Sequence, residues 1–481
     1  MRQPVRPSIA YVSAQLPSYL AAEHRVVERS TEALREHAVT LGFELLADWP
    51  EVTSRAEAED VAAAAAAAGA DMVLVQCSSF AMGDVVAPFA AQPYRLGLWA
   101  VEEPVRQGPI PLNGFVAMHL HAGILSGSTA GSPRPYKWFF GLGDHPWFAP
   151  RLAVSVAALR AVKALSGARV GFVGGVAPSF WSLAADERAL RRRHGIEVIA
   201  RDLDDVIARA RAGDDTAVER VLADMRAAVR GVSAPEDDLR SSAAVYLALR
   251  AIAVADGCDA LAVSDWPGFQ QALGIHPGAA FSWLDEVDGV PVAAEGDVLG
   301  ALTMRFANAL ADGPAMLLDM NDVDLAADSI MMWHCGGSPL GFADANGARW
   351  DVHTTLGRKQ PGATPRGVVA DLRFRHGPVA LVRLRDDGAE LFAMDAEVVP
   401  HPAPGFDGSR GWVGRFRDAS CRRSAADVVQ TVMSHGVEHH LILADGAVAP
   451  AAREAAAWLG MRLTATVPYA DELVVPGGAC R

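Results

Sequence analysis

The chain has 481 residues, 51% of them hydrophobic, and a formal net charge of −14. That length and apolar share allow several buried cores. The acidic balance excludes a general attraction to phosphate backbones, and so nucleic acid as a partner. No run of about eighteen strongly apolar residues occurs, so no membrane span is expected.

The chain opens MRQPVRP and passes directly into Ile9-Ala10-Tyr11-Val12, a strand and not the long apolar core of a signal peptide. Ala21–Leu41 has helical spacing and stops at Gly42. Phe43–Ala47 reads as a strand, Arg55–Ala68 as a helix, and Met72–Gln76 and Tyr94–Ala100 as apolar strands buried on both faces. A second unit opens near Trp147 with a helix over Phe148–Leu165. Strands follow at Ala168–Val173, Glu197–Ile199 and Ala260–Val263, then a helix over Gly296–Leu310 and a strand over Ala315–Leu318. From about Ile330 the texture changes to short alternating strands: Val368–Phe374, Val379–Arg385 and Glu390–Asp395. The C-terminal stretch returns to helix, strand and helix at Ser424–His435, Leu441–Leu443 and Pro450–Leu459. The expected architecture is α/β. Two parallel-sheet, Rossmann-like domains (1–146 and 147–329) precede an antiparallel, barrel-like β domain (330–481). Five scattered cysteines (Cys77, Cys258, Cys335, Cys421, Cys480) without a CxxC pair fit reduced thiols and a cytoplasmic setting. Arg191-Arg192-Arg193-His194 reads as a solvated helix end.

The loop after Ala168–Val173 is GFVGG, neither a GxGxxG fingerprint nor a phosphate loop, and no GxSxG nucleophile elbow occurs. Four other features bear chemistry. Glu295 opens a helix after the apolar run Val290–Ala294. Asp319 ends the strand Ala315–Leu318. His334 sits in Met331-Met332-Trp333-His334-Cys335-Gly336. His439-His440 precedes Leu441–Leu443. Carboxylates at strand ends can share one crevice of an open sheet. Two carboxylates with two neutral imidazoles make an N/O site suited to Mn²⁺ or a similar cation. Each residue also has a plain reading: a cap, a turn residue, a packed imidazole, or a pair with one ring in and one out.

The order of these residues resembles the L-fucose isomerase and L-arabinose isomerase superfamily, most closely its short fucose-isomerase-like members. The likeness rests on several stretches. They are Leu98-Trp99-Ala100-Val101-Glu102-Glu103-Pro104, Gly108 to Gly114, Asp265-Trp266-Pro267, Ala293 to Met304, Trp333-His334-Cys335-Gly336 and Gly436 to His440. The resemblance implies that Glu295, Asp319 and His440 are metal ligands, with His334 a fourth ligand or a substrate contact. It also implies that Trp99, Asn113 and His439 bind substrate. The chain departs from the pattern at Asp265, where longer members carry cysteine, and after Asn113, where Gly114-Phe115 replaces Ser-Leu-Cys.

The implied reaction is aldose–ketose interconversion through a cis-enediol, with Glu295 and Asp319 as the catalytic carboxylates and Mn²⁺ as cofactor. Two rivals are a metal-enolate epimerase or lyase on a modified sugar, and a non-catalytic sugar-binding protein of the same fold. The partners expected are a small sugar and further copies of the chain, as a trimer or hexamer. His119 and His121 are candidates to face a neighbouring copy.

Overall fold

In the computed structural model the described residues are 5–127, 133–335, 337–353, 366–471 and 473–474. Gly336, Cys480 and the residues before Val5 lie outside them. Cys77, Cys258, Cys335 and Cys421 are thiols. Among the described residues no helix is long and apolar enough to cross a membrane.

Two compact units are formed, one spanning Val5–Lys163 and one that takes up the chain from Ala164. The first holds β1 (Ser8–Ala14), β2 (Glu44–Leu46), β3 (Met72–Cys77), β4 (Arg95–Ala100) and β5 (Tyr136–Phe140). They form one parallel sheet in the order β2-β1-β3-β4-β5. β1 and β3 are buried at every position, which is why their sequences are mostly apolar without alternation, with Ser8, Ser13 and Gln76 the buried polar exceptions. The helix expected from Ala21 begins at Val26 and ends, as expected, at Leu41 before a left-handed Gly42.

The second unit has two sheets. β6 (Arg169–Val173), β7 (Glu197–Arg201), β8 (Ala260–Val263) and β9 (Val292–Ala293) form a parallel sheet in the order β7-β6-β8-β9. A turn and the helix Val298–Ala311 lead from β9 into β10 (Ala315–Asp324). The strands that follow are β11 (Ser329–His334), β12 (Arg349–Val352), β13 (Val368–Arg373), β14 (Gly377–Arg385), β15 (Glu390–Val399), β16 (Ser409–Asp418), β17 (Cys421–Arg422), β18 (His440–Asp445) and β19 (Arg462–Leu463). β10, β18, β14, β15, β16 and β11 pair in that cyclic order, always antiparallel, and so close a six-stranded barrel. The barrel-like expectation for this region therefore holds, and the α/β class with it. β12 and β13 extend the sheet from β16.

Register decides what the barrel presents. Met316 and Leu318 of β10 join the large core that also takes in Leu261 of β8 and Ile330 and Met332 of β11. By strand alternation Leu317 and Asp319 share the opposite face. The helix Val298–Ala311 packs against β10, β14 and β18, tying the residues just before it to the barrel.

Candidate metal centre

The turn between β9 and the helix Val298–Ala311 carries Glu295. The expected helix start at Gly296 moves to Val298, which leaves Glu295 in the turn with φ 61° and ψ 11°. A non-glycine residue in this left-handed region costs about 1–3 kcal/mol and persists only where its surroundings enforce it. They do so here. The Glu295 N–H donates to Asp265 Oδ1 at 2.7 Å and its carbonyl accepts from the Ala177 N–H at 2.9 Å. A Cβ on the following Gly296 would lie 2.1 Å from the Gly175 carbonyl oxygen, so only glycine fits there.

Two residues on, Asp297 is fully buried and does three jobs. It caps the helix by accepting the Gly300 N–H at 2.7 Å. It accepts two bonds from the fully buried Arg383 guanidinium of β14, at 2.6 and 3.0 Å. It also accepts from His440 Nδ1 at 2.9 Å. Burial alone would push the Asp297 pKa up, but Arg383 and His440 overrule it and hold the carboxyl well below its ordinary range. In the ring's neutral form this contact keeps the proton on Nδ1 and leaves Nε2 with a lone pair.

That lone pair faces carboxylates. His440 is the direct cross-strand partner of Asp319, and His440 Nε2 lies 3.9 Å from Asp319 Oδ1 and 3.5 Å from Glu295 Oε2. Asp319 does not end a strand as the sequence suggests, because β10 continues to Asp324 by pairing with β11. It reaches the site through mid-strand register with β18, not through a sheet's C-terminal edge. His440 Nε2 and Asp319 Oδ1 are both buried and lack a hydrogen-bond partner. Two acceptors buried against each other repel unless a proton or a cation lies between them. The donor set, two carboxylates and an imidazole, suits a hard to borderline divalent cation of the Mn²⁺ kind. The Asp297 contact is of the kind that supports a metal-binding histidine from outside.

His439 completes the cluster from the rim. Its side chain is 40% exposed, and its Nε2 lies 3.1 Å from Glu295 Oε2. Glu295, His439 and His440 each offer one ligand atom, all within 4.8 Å of one another. His334 stands further off, with its ring centroid 5.9 Å from that of His440. Burial and the nearby His440 push the His334 pKa down to about 3, so it is a neutral imidazole.

Trp99 and Asn113 belong to the Val5–Lys163 unit. Trp99 is fully buried, stacks on Phe148 at 4.6 Å and donates from Nε1 to the Gly141 carbonyl at 2.8 Å. Asn113 has φ 55° and precedes the helix Gly114–Ser126, and its N–H donates to Glu103 Oε1 at 2.6 Å. His121 is turned inward with Nε2 3.0 Å from the Met82 carbonyl oxygen, while His119 is exposed. A second group, His276, Cys335 and His353, also gathers ligand atoms within 4.8 Å. His276 Nε2 lies 2.9 Å from Asp265 Oδ2, however, and its Nδ1 accepts from the Gly278 N–H at 3.2 Å. Both its nitrogens are taken, which argues against a cation there.

Sequence reasoning did not find Asp297, Arg383 or His276, and noted Asp265 only as a departure. One signal was available. Arg383 interrupts the apolar run Val379-Ala380-Leu381-Val382, and a charge inside such a run calls for a buried partner.

Asp319, a candidate ligand, and His439 beside Glu295 give any bound cation an expected pH dependence. Burial raises the Asp319 pKa above its ordinary value, and the neighbouring histidines offset this only in part. Burial opposes charging His439, yet its bond to Glu295 and the other carboxylates win and hold its pKa above the ordinary value. A cation must displace these protons, so its affinity rises with pH until both groups have titrated. Mn²⁺ titrations at about pH 5.5 and about pH 7.5 are expected to differ at least about ten-fold in Kd, weaker at the lower pH. A Kd unchanged over that window counts against these ligands.

No family model matches the chain. Curated relatives do. A sulfoquinovose isomerase of Alkalicoccus urumqiensis is 28% identical over 393 residues, covering 80% of this chain and 83% of that protein. A sulfoquinovose isomerase of Priestia megaterium is 26% identical over 385 residues, covering 79% and 81%. A third, from Clostridium sp. (strain MSTE9), is 24% identical over 263 residues. These relatives support an enzyme, and among enzymes a sugar aldose–ketose isomerase. A solved ABC transporter solute-binding protein from Agrobacterium vitis aligns with 60% of this chain at 13% identity. Its TM-score is 0.17, too low to indicate a shared fold.

Proposed function

We propose that the chain is a divalent-metal-dependent aldose–ketose isomerase, with Mn²⁺ or a similar cation held by Glu295, Asp319 and His440. The observation that carries this is the buried, unpartnered pair His440 Nε2 and Asp319 Oδ1, with the Glu295 carboxylate 3.5 Å from the same nitrogen. His334 and His439 are the further candidates beside them. The bound cation would supply Lewis-acid polarisation of a carbonyl and its neighbouring hydroxyl. The rest falls to the side chains. Asp319, made more basic by burial, takes the proton next to the carbonyl and returns it to the neighbouring carbon, through a cis-enediol. Glu295 holds the hydroxyl protons in exchange with the half-exposed His439. The relatives' name directs the substrate reading toward sulfoquinovose, an aldohexose bearing a sulfonate. A cytoplasmic homo-oligomer, trimer or hexamer, belongs to the same reading.

The test is a substrate screen on chelated and Mn²⁺-reloaded protein. The substrates are aldopentoses, 6-deoxyhexoses, neutral aldohexoses and a 6-sulfonated aldohexose, and the readout is ketose formation. Ketose from the sulfonated sugar, lost on chelation and restored by Mn²⁺, is expected. Sugar binding that survives chelation with no ketose from any substrate would instead mark a binding protein and overturn the proposal.

A further inference from the structure

We propose that the buried pair Asp265–His276 is a positioning pair that aims the Glu295 carboxylate by fixing the backbone of Glu295. The proposal rests on the reading of Glu295 as a ligand. Asp265 follows β8 and is 4% exposed, and His276 is 3% exposed. Each Asp265 oxygen has one assigned donor. Oδ1 takes the Glu295 N–H at 2.7 Å, and Oδ2 takes the His276 Nε2–H at 2.9 Å. His276 Nδ1 in turn accepts the Gly278 N–H at 3.2 Å, so a backbone amide fixes which ring nitrogen carries the proton.

The chain of bonds therefore runs from Gly278, at the start of the helix Gly278–Asp288, through His276 and Asp265 to the left-handed peptide of Glu295. The far side of that residue is clamped by Ala177, and Gly296 leaves the turn no room to shift toward Gly175. A left-handed residue held at both its N–H and its carbonyl has one direction for its Cα–Cβ bond, from which the side chain sets out. Here that direction places Oε2 3.1 Å from His439 and 3.5 Å from His440. Neither Asp265 nor His276 is among the atoms that converge on the site, so both act through Glu295.

The chemistry of the pair separates positioning from packing. In Asp265→Asn one acceptor becomes a donor. Whichever way the amide turns, either the Glu295 N–H or the His276 Nε2–H then meets another N–H. His276→Phe keeps a ring but loses the donor, and His276→Gln keeps a donor but loses the ring. The experiment is Mn²⁺ titration of the purified full chain, followed by the free-ion electron paramagnetic resonance signal, with circular dichroism and melting temperature on the same samples. Asp265→Asn and His276→Phe are expected to weaken Mn²⁺ binding about ten- to a hundred-fold. His276→Gln is expected to recover most of the affinity lost in His276→Phe. A packing role predicts the reverse order, with His276→Phe near wild type and His276→Gln impaired. Wild-type affinity in folded Asp265→Asn and His276→Phe, whatever their melting temperatures, overturns the positioning role while the metal site stands. Should Asp265→Asn not fold, the order of the two His276 variants decides. A wild-type chain that binds no Mn²⁺ removes the reading of Glu295 as a ligand, and this proposal with it.

Discussion

Replacing His440 by alanine is expected to lower turnover and Mn²⁺ affinity by more than about a hundred-fold, with the circular dichroism spectrum unchanged. Loss of an outer partner of a metal ligand typically costs about ten- to a hundred-fold, and loss of the ligand itself costs more. The His440 ring is fully buried, its Nδ1 is committed to Asp297, and its Nε2 has two carboxylates before it and no hydrogen-bond partner. Alanine would remove the buried His440 nitrogen and leave Glu295 and Asp319 facing a void. His439→Ala is the internal control. Its ring is half exposed and bonds Glu295 from the rim, so about a ten-fold loss is expected, from a less well held carboxylate. Steady-state rates and Mn²⁺ titrations on both variants check this. If His439→Ala is the damaging change and His440→Ala is silent, the roles within the pair are reversed. If both are silent, the third ligand lies elsewhere, with His334 the first place to look.

Replacing Arg383 by methionine is expected to destabilise the second unit by about 3–5 kcal/mol, the usual result of removing one partner of a buried ion pair. Arg383 and Asp297 are both fully buried and share two hydrogen bonds. Methionine fills much of the space but strands the Asp297 charge, which also caps the helix Val298–Ala311 and orients His440. The effect on function follows from the effect on structure. An Asp297 side chain that moves to find water releases His440, and cation affinity falls with stability. Chemical denaturation with and without Mn²⁺ measures both. The double variant Arg383→Met/Asp297→Asn, in which Asp297 no longer carries a stranded charge and Glu438 keeps Arg385, is expected to lose less stability than Arg383→Met alone. A folded Arg383→Met with wild-type stability would mean that the pair is solvated.

Much of this architecture was legible in local pattern. Met72-Val73-Leu74-Val75 is apolar at successive positions because β3 is buried on both faces, and a parallel sheet follows from that. Glu295 and His440 were legible as chemistry because a carboxylate after an apolar run and a His-His pair before a strand each put one polar group at the edge of a buried element. What stayed hidden is non-local. β16 and the β15–β16 pairing that closes the barrel depend on a register shift between Asp395 and Glu397, which no local periodicity encodes. Asp319 reads as a strand terminus because the apolar run stops at Leu318, whereas β10 runs on to Asp324 by pairing with β11. Asp297 caps the helix Val298–Ala311, a local role. Its second and third partners, Arg383 and His440, lie 86 and 143 residues away, so only the folded chain shows why that carboxylate is buried.

In the proposed function Glu295 and Asp319, with His440, hold one divalent cation in a site built by a turn, a mid-strand register and a buried tautomer-fixing carboxylate. The most direct measurement is the Mn²⁺ content of the wild-type chain and of Glu295→Gln and Asp319→Asn, each purified, stripped, reloaded and desalted in parallel. The substitutions are close in size and remove one negative ligand apiece, so the fold should survive in both. About one Mn²⁺ per wild-type chain and little in either variant is expected. Wild-type Mn²⁺ content in both variants would contradict it.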